Sequence, residues 1–486
     1  MRFILATLIL IGLAACENVG DDGIVDVVYI GQSEDVFEQG LRIGPAAQLV
    51  RASTQQGLVR LNAPGEVVPG LAERWIVTDD GESYIFRISE FDLPGGKRLT
   101  AEVVRASLVR SIARLDGTSL GLDLAKVAEV RAMTGRVVEI RLKSPMPGFL
   151  QLLAQPELGI APDVARTGPL SSSRSENVLM LEAMPPELRG GPVQPDWGEG
   201  LRTVRFQSLD AETAARGFDQ GHFDLMLGGR VQDLPRASTN TFSRATVRLD
   251  SAIGLFGLDV VGRSGFLASA DNREAIALAI DRDAIAGALG IGGWAVTASI
   301  VPEGLPGVGA DETERWPGLS LEERRARASQ RVSAWRSGGG IGPAISIALP
   351  EGPGSDILFD RLAADLSAVG ITAERADKRA GADLVLRDRV ARFSGARWFL
   401  NQFNCRVAPR VCSQDADFLV SLAVDAANPA EEASYLAEAE QTLTATNYFI
   451  PLGSPIRWAQ VTSDAQGFAE NPWAFHPLFP LTRAPI

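Results

Sequence analysis

Nucleophilic catalysis needs a serine or cysteine beside a histidine, and this chain holds only two histidines, His222 and His476. His222 falls at a helix-to-strand turn and His476 in an aromatic-rich terminal segment. Both places suit solvation and packing better than proton transfer. No Gly-x-Ser-x-Gly elbow, His-Glu-x-x-His pair or Walker loop is present. The glycines Gly338 to Gly340 lack the lysine and the helix that a phosphate loop requires, so they read as a plain turn, and as the flexible link inside their half of the chain. Of the three cysteines, Cys405 and Cys412 are separated by six residues. In an exported chain that spacing makes a small disulfide loop, stabilising by about 2 to 3 kcal/mol. Their use as metal ligands would need partners that two histidines barely supply, so neither a metal nor another cofactor is expected. These residue types point away from an enzyme.

The elements around them alternate. Ile24 to Ile30 is rich in β-branched residues and reads as a buried first strand, followed by the polar loop Gln32 to Asp35 at its carboxyl end. Ligands of open α/β sheets sit at such strand ends, which makes Ser33 and Glu34 candidates for contact. From Gly57 to Ile88 the pattern is that of hairpins, with Asp80-Gly81 between two β-rich runs. Thr100 caps a helix with Val104, Leu108, Ile112 and Leu115 on one side. Asp210 opens a short helix, Ile253 to Val261 is a strand, and Asp271 with Glu274 has the spacing of a capping box. Asp281, Ser320 and Asn428 open further helices. Ile345 to Leu349, a helix opened by Ser355 and stopped at Gly370, and Ile371 to Arg375 form a strand-helix-strand unit. Such alternation predicts an α/β architecture with a largely parallel sheet.

The amino-terminal end carries one positive charge, an apolar run from Phe3 to Leu13 and the sequence Leu13-Ala14-Ala15-Cys16. This is a secretory signal over residues 1–15, too short for the roughly 20 apolar residues of a spanning helix. Its end looks like a bacterial lipobox, in which Cys16 is lipidated and anchors the mature chain to a membrane. A chain of 486 residues exceeds one hydrophobic core and implies more than one domain. Its formal net charge of −13 argues against a nucleic-acid partner.

Several blocks in order resemble the peptide- and nickel-type solute-binding proteins of ABC importers. They are Gly57 to Leu61, Val67 to Trp75, Asp79 to Arg87 and Lys97 to Val104, then Thr167-Gly168-Pro169, Gly221 to Asp224, Ala279 to Asp283, Leu349 to Gly352, Val369 to Ile371 and Phe449 to Leu452. The resemblance implies a class II periplasmic-binding-protein fold of two lobes, with an extra subdomain in lobe I. Lobe I would comprise residues 24–56, 166–262 and 446–486, the inserted subdomain 57–165, and lobe II 263–445, with crossings near Val261 and Ile450. Cys405 and Cys412 match in kind the loop disulfide of dipeptide-binding members.

The same resemblance places Asp259 at a strand end facing the cleft and Arg397, Trp398, Phe399 and Asn401 in the loop that lines it. Core packing is an equal alternative for Trp398 and Phe399. Dipeptide-binding members hold the ligand's amino group with an aspartate ahead of the cysteine loop, whereas no acid lies here between Asp388 and Asp415. Arg397 or Asn401 stands in its place, which favours an anionic or a neutral ligand group. The function implied is a monomeric, periplasmic, lipid-anchored receptor that captures a peptide-like or other small polar ligand and hands it to an inner-membrane ABC permease. A ligand-sensing or envelope protein of the same fold without a transport role is the alternative.

Overall fold

A computed structural model describes residues 23–90, 92–93, 98–161, 167–237, 246–305, 315–463 and 465–483. The signal segment 1–15, Cys16 and the boundary at 165–166 lie outside the described residues. The first sheet is built from β1 (Ile24–Ile30), β8 (Leu170–Ser175), β9 (Val178–Ala183), β10 (Thr203–Leu209), β11 (Leu225–Gly229), β12 (Val247–Leu249) and β18 (Trp458–Val461). Its seven strands lie in the order β12-β18-β11-β1-β10-β9-β8. β1 runs parallel to both its neighbours, β10 and β11, so the loops after β1 and β11 open side by side at one edge. β10 and β11 run the same way on either side of β1 and so need a crossover, here α5 (Ala211–Asp219), whose first N–H groups are capped by Asp210 at 3.0 and 3.1 Å.

The second sheet is built from β13 (Gly254–Val260), β14 (Ala344–Ala348), β15 (Thr372–Arg375), β16 (Leu384–Val390) and β17 (Phe449–Gly453). Its five strands lie in the order β15-β14-β16-β13-β17. The expected strand-helix-strand unit is present, with α9 (Pro353–Ser367) joining the parallel pair β14 and β15. β13, however, pairs antiparallel with both β16 and β17, so the sheet is mixed. β13 and β17 also move the crossings. The chain passes between sheets at 250–253 and 454–457, and not near Val261 and Ile450. All seven residues of β13 are buried, a run equally at home inside either sheet, so its pattern cannot tell which sheet takes it.

Around this sheet lie α6 (Ala270–Ala279), α7 (Arg282–Leu289), α8 (Leu321–Ser337), α10 (Ala396–Asn401), α11 (Gln414–Val424) and α12 (Pro429–Thr446). Asp281, Ser320 and Asn428 cap their helices as expected. Two expected starts differ. The cap of α6 is Ser269, and Glu274 accepts from Trp316 Nε1 at 3.0 Å instead of closing a capping box. Ser355 lies inside the first turn of α9, whose cap is Gly352. Gly338 to Gly340 close the end of α8 through bonds to Ala334, Arg336 and Trp335, the turn that was expected rather than a loose link.

The insert follows α1 (Pro45–Thr54). It contains the hairpin of β2 (Val59–Leu61) and β3 (Val67–Pro69) and a four-stranded antiparallel sheet. That sheet runs β4 (Ala72–Val77), β5 (Ser83–Ile88), β7 (Val137–Leu142) and β6 (Val127–Ala132), covered by α2 (Ala101–Arg114), α3 (Ser119–Asp123) and α4 (Phe149–Leu153). Its apolar side, with Phe149 and Leu152, continues without a break into Phe393, Trp398 and Phe399 and on to Leu436 of α12. Such contiguity holds the insert against α10 and α12 in this conformation.

Candidate functional site

A cavity of about 500 Å³ opens where the two sheets and the insert meet. Tyr29, Gly228, Gly229 and Arg230 wall it from the carboxyl ends of β1 and β11, and Asp388 to Arg392 wall it from the end of β16. Trp398 and Gln402 add to that side, and Ser119, Leu120 and Gln155 come from the insert. Both crossings contribute, through Asp250 and through Arg457, Trp458 comes from the start of β18, and the terminal segment supplies Trp473 to His476. The glycines have a steric reason to be there. A Cβ on Gly229 would fall 2.2 Å from the Trp458 ring, and one on Gly228, at φ +85°, would fall 2.6 Å from Tyr29. Ala474 adopts φ +45° in the same wall, a left-handed backbone that costs a side-chain-bearing residue about 1 to 2 kcal/mol.

The charges lining the cavity are unevenly matched. Arg457 Nη1 donates to both oxygens of Asp388 at 2.8 and 2.9 Å, tying a crossing to the second sheet. His476 Nε2 lies 3.2 Å from Asp250 Oδ2. Arg392 is held by Glu157 at 3.0 Å and by the Gln155 side-chain oxygen at 2.9 Å. Arg389 donates to a neutral group, Gln402 Oε1, at 3.1 Å. Burial, with the neighbouring Arg387 cation next, lowers its pKa. Tyr29 is pushed above the usual phenol range by burial, against the opposing pull of Arg230 and Arg457, and stays protonated.

Of the residues singled out from sequence, Trp398 lines the cavity. Ser33 and Glu34 are exposed and lie outside its wall, and Glu34 pairs with Arg174 at 3.1 Å. Asp259 is buried in a two-point pair with Arg387, at 2.7 and 2.9 Å. Phe399 is fully buried core beside Trp398. Arg397 and Asn401 turn away from the cavity into the contact with the insert, where both meet Asp123. Arg397 Nη2 donates to the Asp123 carbonyl at 2.8 Å, and Asn401 Nδ2 donates to its carboxylate at 2.7 Å. Asp123 is 1 % exposed, and burial outweighs the opposing Arg397, Asn401 and Arg392 to push its carboxyl up to about 7. Cys405 and Cys412 are joined in a disulfide with Cα atoms 5.1 Å apart.

The sequence does not single out Arg230, Asp388, Arg389 or Arg457, and it assigns His476 to packing or solvation. A usable signal existed for some of them: the charges from Arg387 to Arg389 end an otherwise apolar strand, and Gly228-Gly229-Arg230 ends one parallel to β1. His476 gave no such signal, because its wall is built by a terminal segment folding back. Among the described residues, no group of three or more histidine, cysteine or acidic side chains is placed to hold a metal ion.

Two α/β sheets joined by two crossings, with a cavity at their junction, make a two-lobed architecture. The chain's fold is that of the peptide- and nickel-type periplasmic solute-binding proteins, and its sequence relatives are periplasmic binding proteins. It matches Haemophilus influenzae OppA in complex with the peptide RPPGFSPFR at a TM-score of 0.76 and 15% identity, over 95% of this chain and 98% of that one. It matches the Escherichia coli murein tripeptide binding protein MppA at 0.75 and 16%, over 95% and 98%. NikA from Brucella suis in complex with Fe(III)-EDTA matches at 0.72 and 16%, over 94% and 100%. In sequence, the chain is 32% identical over 162 residues to the probable deoxycholate-binding periplasmic protein YgiS of Escherichia coli K12, covering 28% of each. It is 26% identical over 207 residues to the nickel-binding periplasmic protein of that strain, covering 38% of this chain and 37% of the relative. These matches span well under half the length of the curated relatives. No protein-family model matches the chain. The relatives and neighbours named are binding proteins, not enzymes.

Proposed function

We propose that this protein is a non-catalytic, extracytoplasmic solute-binding lipoprotein, lipidated at Cys16, which captures a peptide-like or other small polar ligand and delivers it to an ABC permease. Lobe I is built on the seven-stranded sheet and lobe II on the five-stranded sheet, with the insert lying over the cleft. The observation that carries the reading is the cavity of about 500 Å³ walled from both sheets and both crossings. A ligand there touches both lobes only when they are closed, so its preference for the closed state sets the population. Moving the clamp from about 1% to about 99% closed takes about 5.5 kcal/mol of that preference. Hydrogen bonds together with a charge-assisted contact supply energy of this size.

Two measurements on the purified full chain test the reading. Native mass spectrometry is expected to detect a small molecule that leaves on mild unfolding. X-ray scattering of the stripped chain is expected to show a larger radius of gyration that shrinks when the molecule returns. A chain that carries nothing and keeps one radius throughout would defeat the proposal.

A further inference from the structure

Each carboxylate that lines the cavity already has partners within its wall, Asp388 in Arg457 and Asp250 in the His476 ring and the Asn471 N–H. Two guanidinium groups lack a carboxylate within ion-pair distance among the described residues, Arg230 having the Tyr29 phenol as a side-chain partner and Asp233 only at longer range. Arg389 has a neutral amide oxygen as its hydrogen-bond acceptor, and neither Arg389 nor Arg230 forms an ion pair among the described residues. They come from opposite bodies: Arg230 follows β11 of the seven-stranded sheet and Arg389 lies in β16 of the five-stranded sheet. An unmatched cation on each side of a closing cleft favours an anion between them, since each guanidinium offers a fork of donors that fits an oxyanion.

We propose that the ligand carries an oxyanion group, carboxylate or phosphate, held jointly by Arg230 and Arg389, so that binding the anion is what draws the two lobes together. This rests on the solute-binding reading above and names the ligand class for that site. A neighbouring cavity of about 520 Å³ shares Arg230 and Tyr29 but gathers acids, and so does not suit the anion. In it Asp35 accepts from the Gln32 N–H, Asp210 caps α5 and Glu212 pairs with Arg216. The anionic end is therefore placed in the chamber of Arg389, away from those acids.

The test combines the molecule released from the purified full chain with a thermal-shift panel of matched probes: dicarboxylic acids, dipeptides and phosphate monoesters, each beside its neutral amide or ester. Acids are expected to raise the melting temperature and their neutral counterparts to fail. The carboxylate and phosphate arms tell which oxyanion it is. Arg389→Gln and Arg230→Gln are each expected to weaken the best acid by about 10- to 100-fold, the loss of one charge-assisted contact. Arg174→Gln, at an exposed pair with Glu34 outside the cavity, is the control and is expected to bind as the parent does. Melting temperatures of the unliganded variants show whether they fold. If one arginine variant does not, the other carries the test. A released molecule or a binding probe without an acidic group, or a folded variant with undiminished affinity, overturns the inference and leaves the solute-binding reading standing. No bound molecule, no binding probe and an unchanging radius of gyration remove both.

Discussion

Substitution of Asp123 by asparagine makes the sharpest test of how the insert and α10 are fastened. The Asp123 carboxyl is buried at 1 % exposure, with Oδ1 accepting from Asn401 and with Oδ2 lacking a partner among the described residues. It titrates at about 7 in the folded chain, against 3.8 in water. Keeping it ionised there costs about 4 kcal/mol at alkaline pH, taking about 1.36 kcal/mol for each pH unit. Because the folded chain binds this proton more tightly than the unfolded one, folding takes up a proton between about pH 4 and pH 7. The penalty is absent below that window, grows as pH rises through it and is complete above it. Between about pH 5 and pH 8 the wild-type chain should lose about 2 to 3 kcal/mol from this group alone. An asparagine side chain cannot ionise, so the stability of Asp123→Asn relative to the parent should rise by about 2 to 3 kcal/mol over the same interval. Urea unfolding of both proteins at several pH values measures the difference, and every other titrating group cancels in it. Stability-against-pH curves that run parallel would refute the reasoning.

Two further outcomes follow from the geometry. Replacing Cys405 and Cys412 together by serine should lower stability by about 2 to 3 kcal/mol, read as a lower urea midpoint, because the closed loop no longer restricts the unfolded chain. Midpoints that coincide would remove the disulfide from the account. Gly229→Ala should displace the Trp458 ring, cost about 1 to 3 kcal/mol and weaken ligand binding, since the added methyl falls 2.2 Å from ring atoms in the cavity wall. A variant with unchanged midpoint and affinity would show that the ring has room to move.

Much of the fold is legible because local physics decides it. Asp210, Asp281, Ser320 and Asn428 start helices through side-chain oxygens that meet the first free N–H groups, an interaction spanning a few residues. Asp80-Gly81 turns a hairpin for a similarly short-range reason. Where a choice depends on a distant partner, sequence reasoning goes astray. Glu274 is spaced for a capping box, yet Trp316 from another segment takes its carboxylate. The candidate site shows the same limit more strongly. Arg397 and Asn401 are conspicuous in sequence because no acid lies near them, but their acid, Asp123, arrives from the insert.

The amino-acid sequence by itself determined the alternation of strands and helices, the hairpins of the insert, the helix caps and the resemblance to solute-binding proteins, all of which depend on residues close together along the chain. The tertiary structure alone decided which sheet takes β13, which arginines keep a carboxylate and which face the cavity without one. Those outcomes depend on pairings between segments hundreds of residues apart, as between Asp123 and Asn401, separated by 278 positions. Burial and charge matching select such partners only after the chain has folded, and short-range pattern carries no record of them.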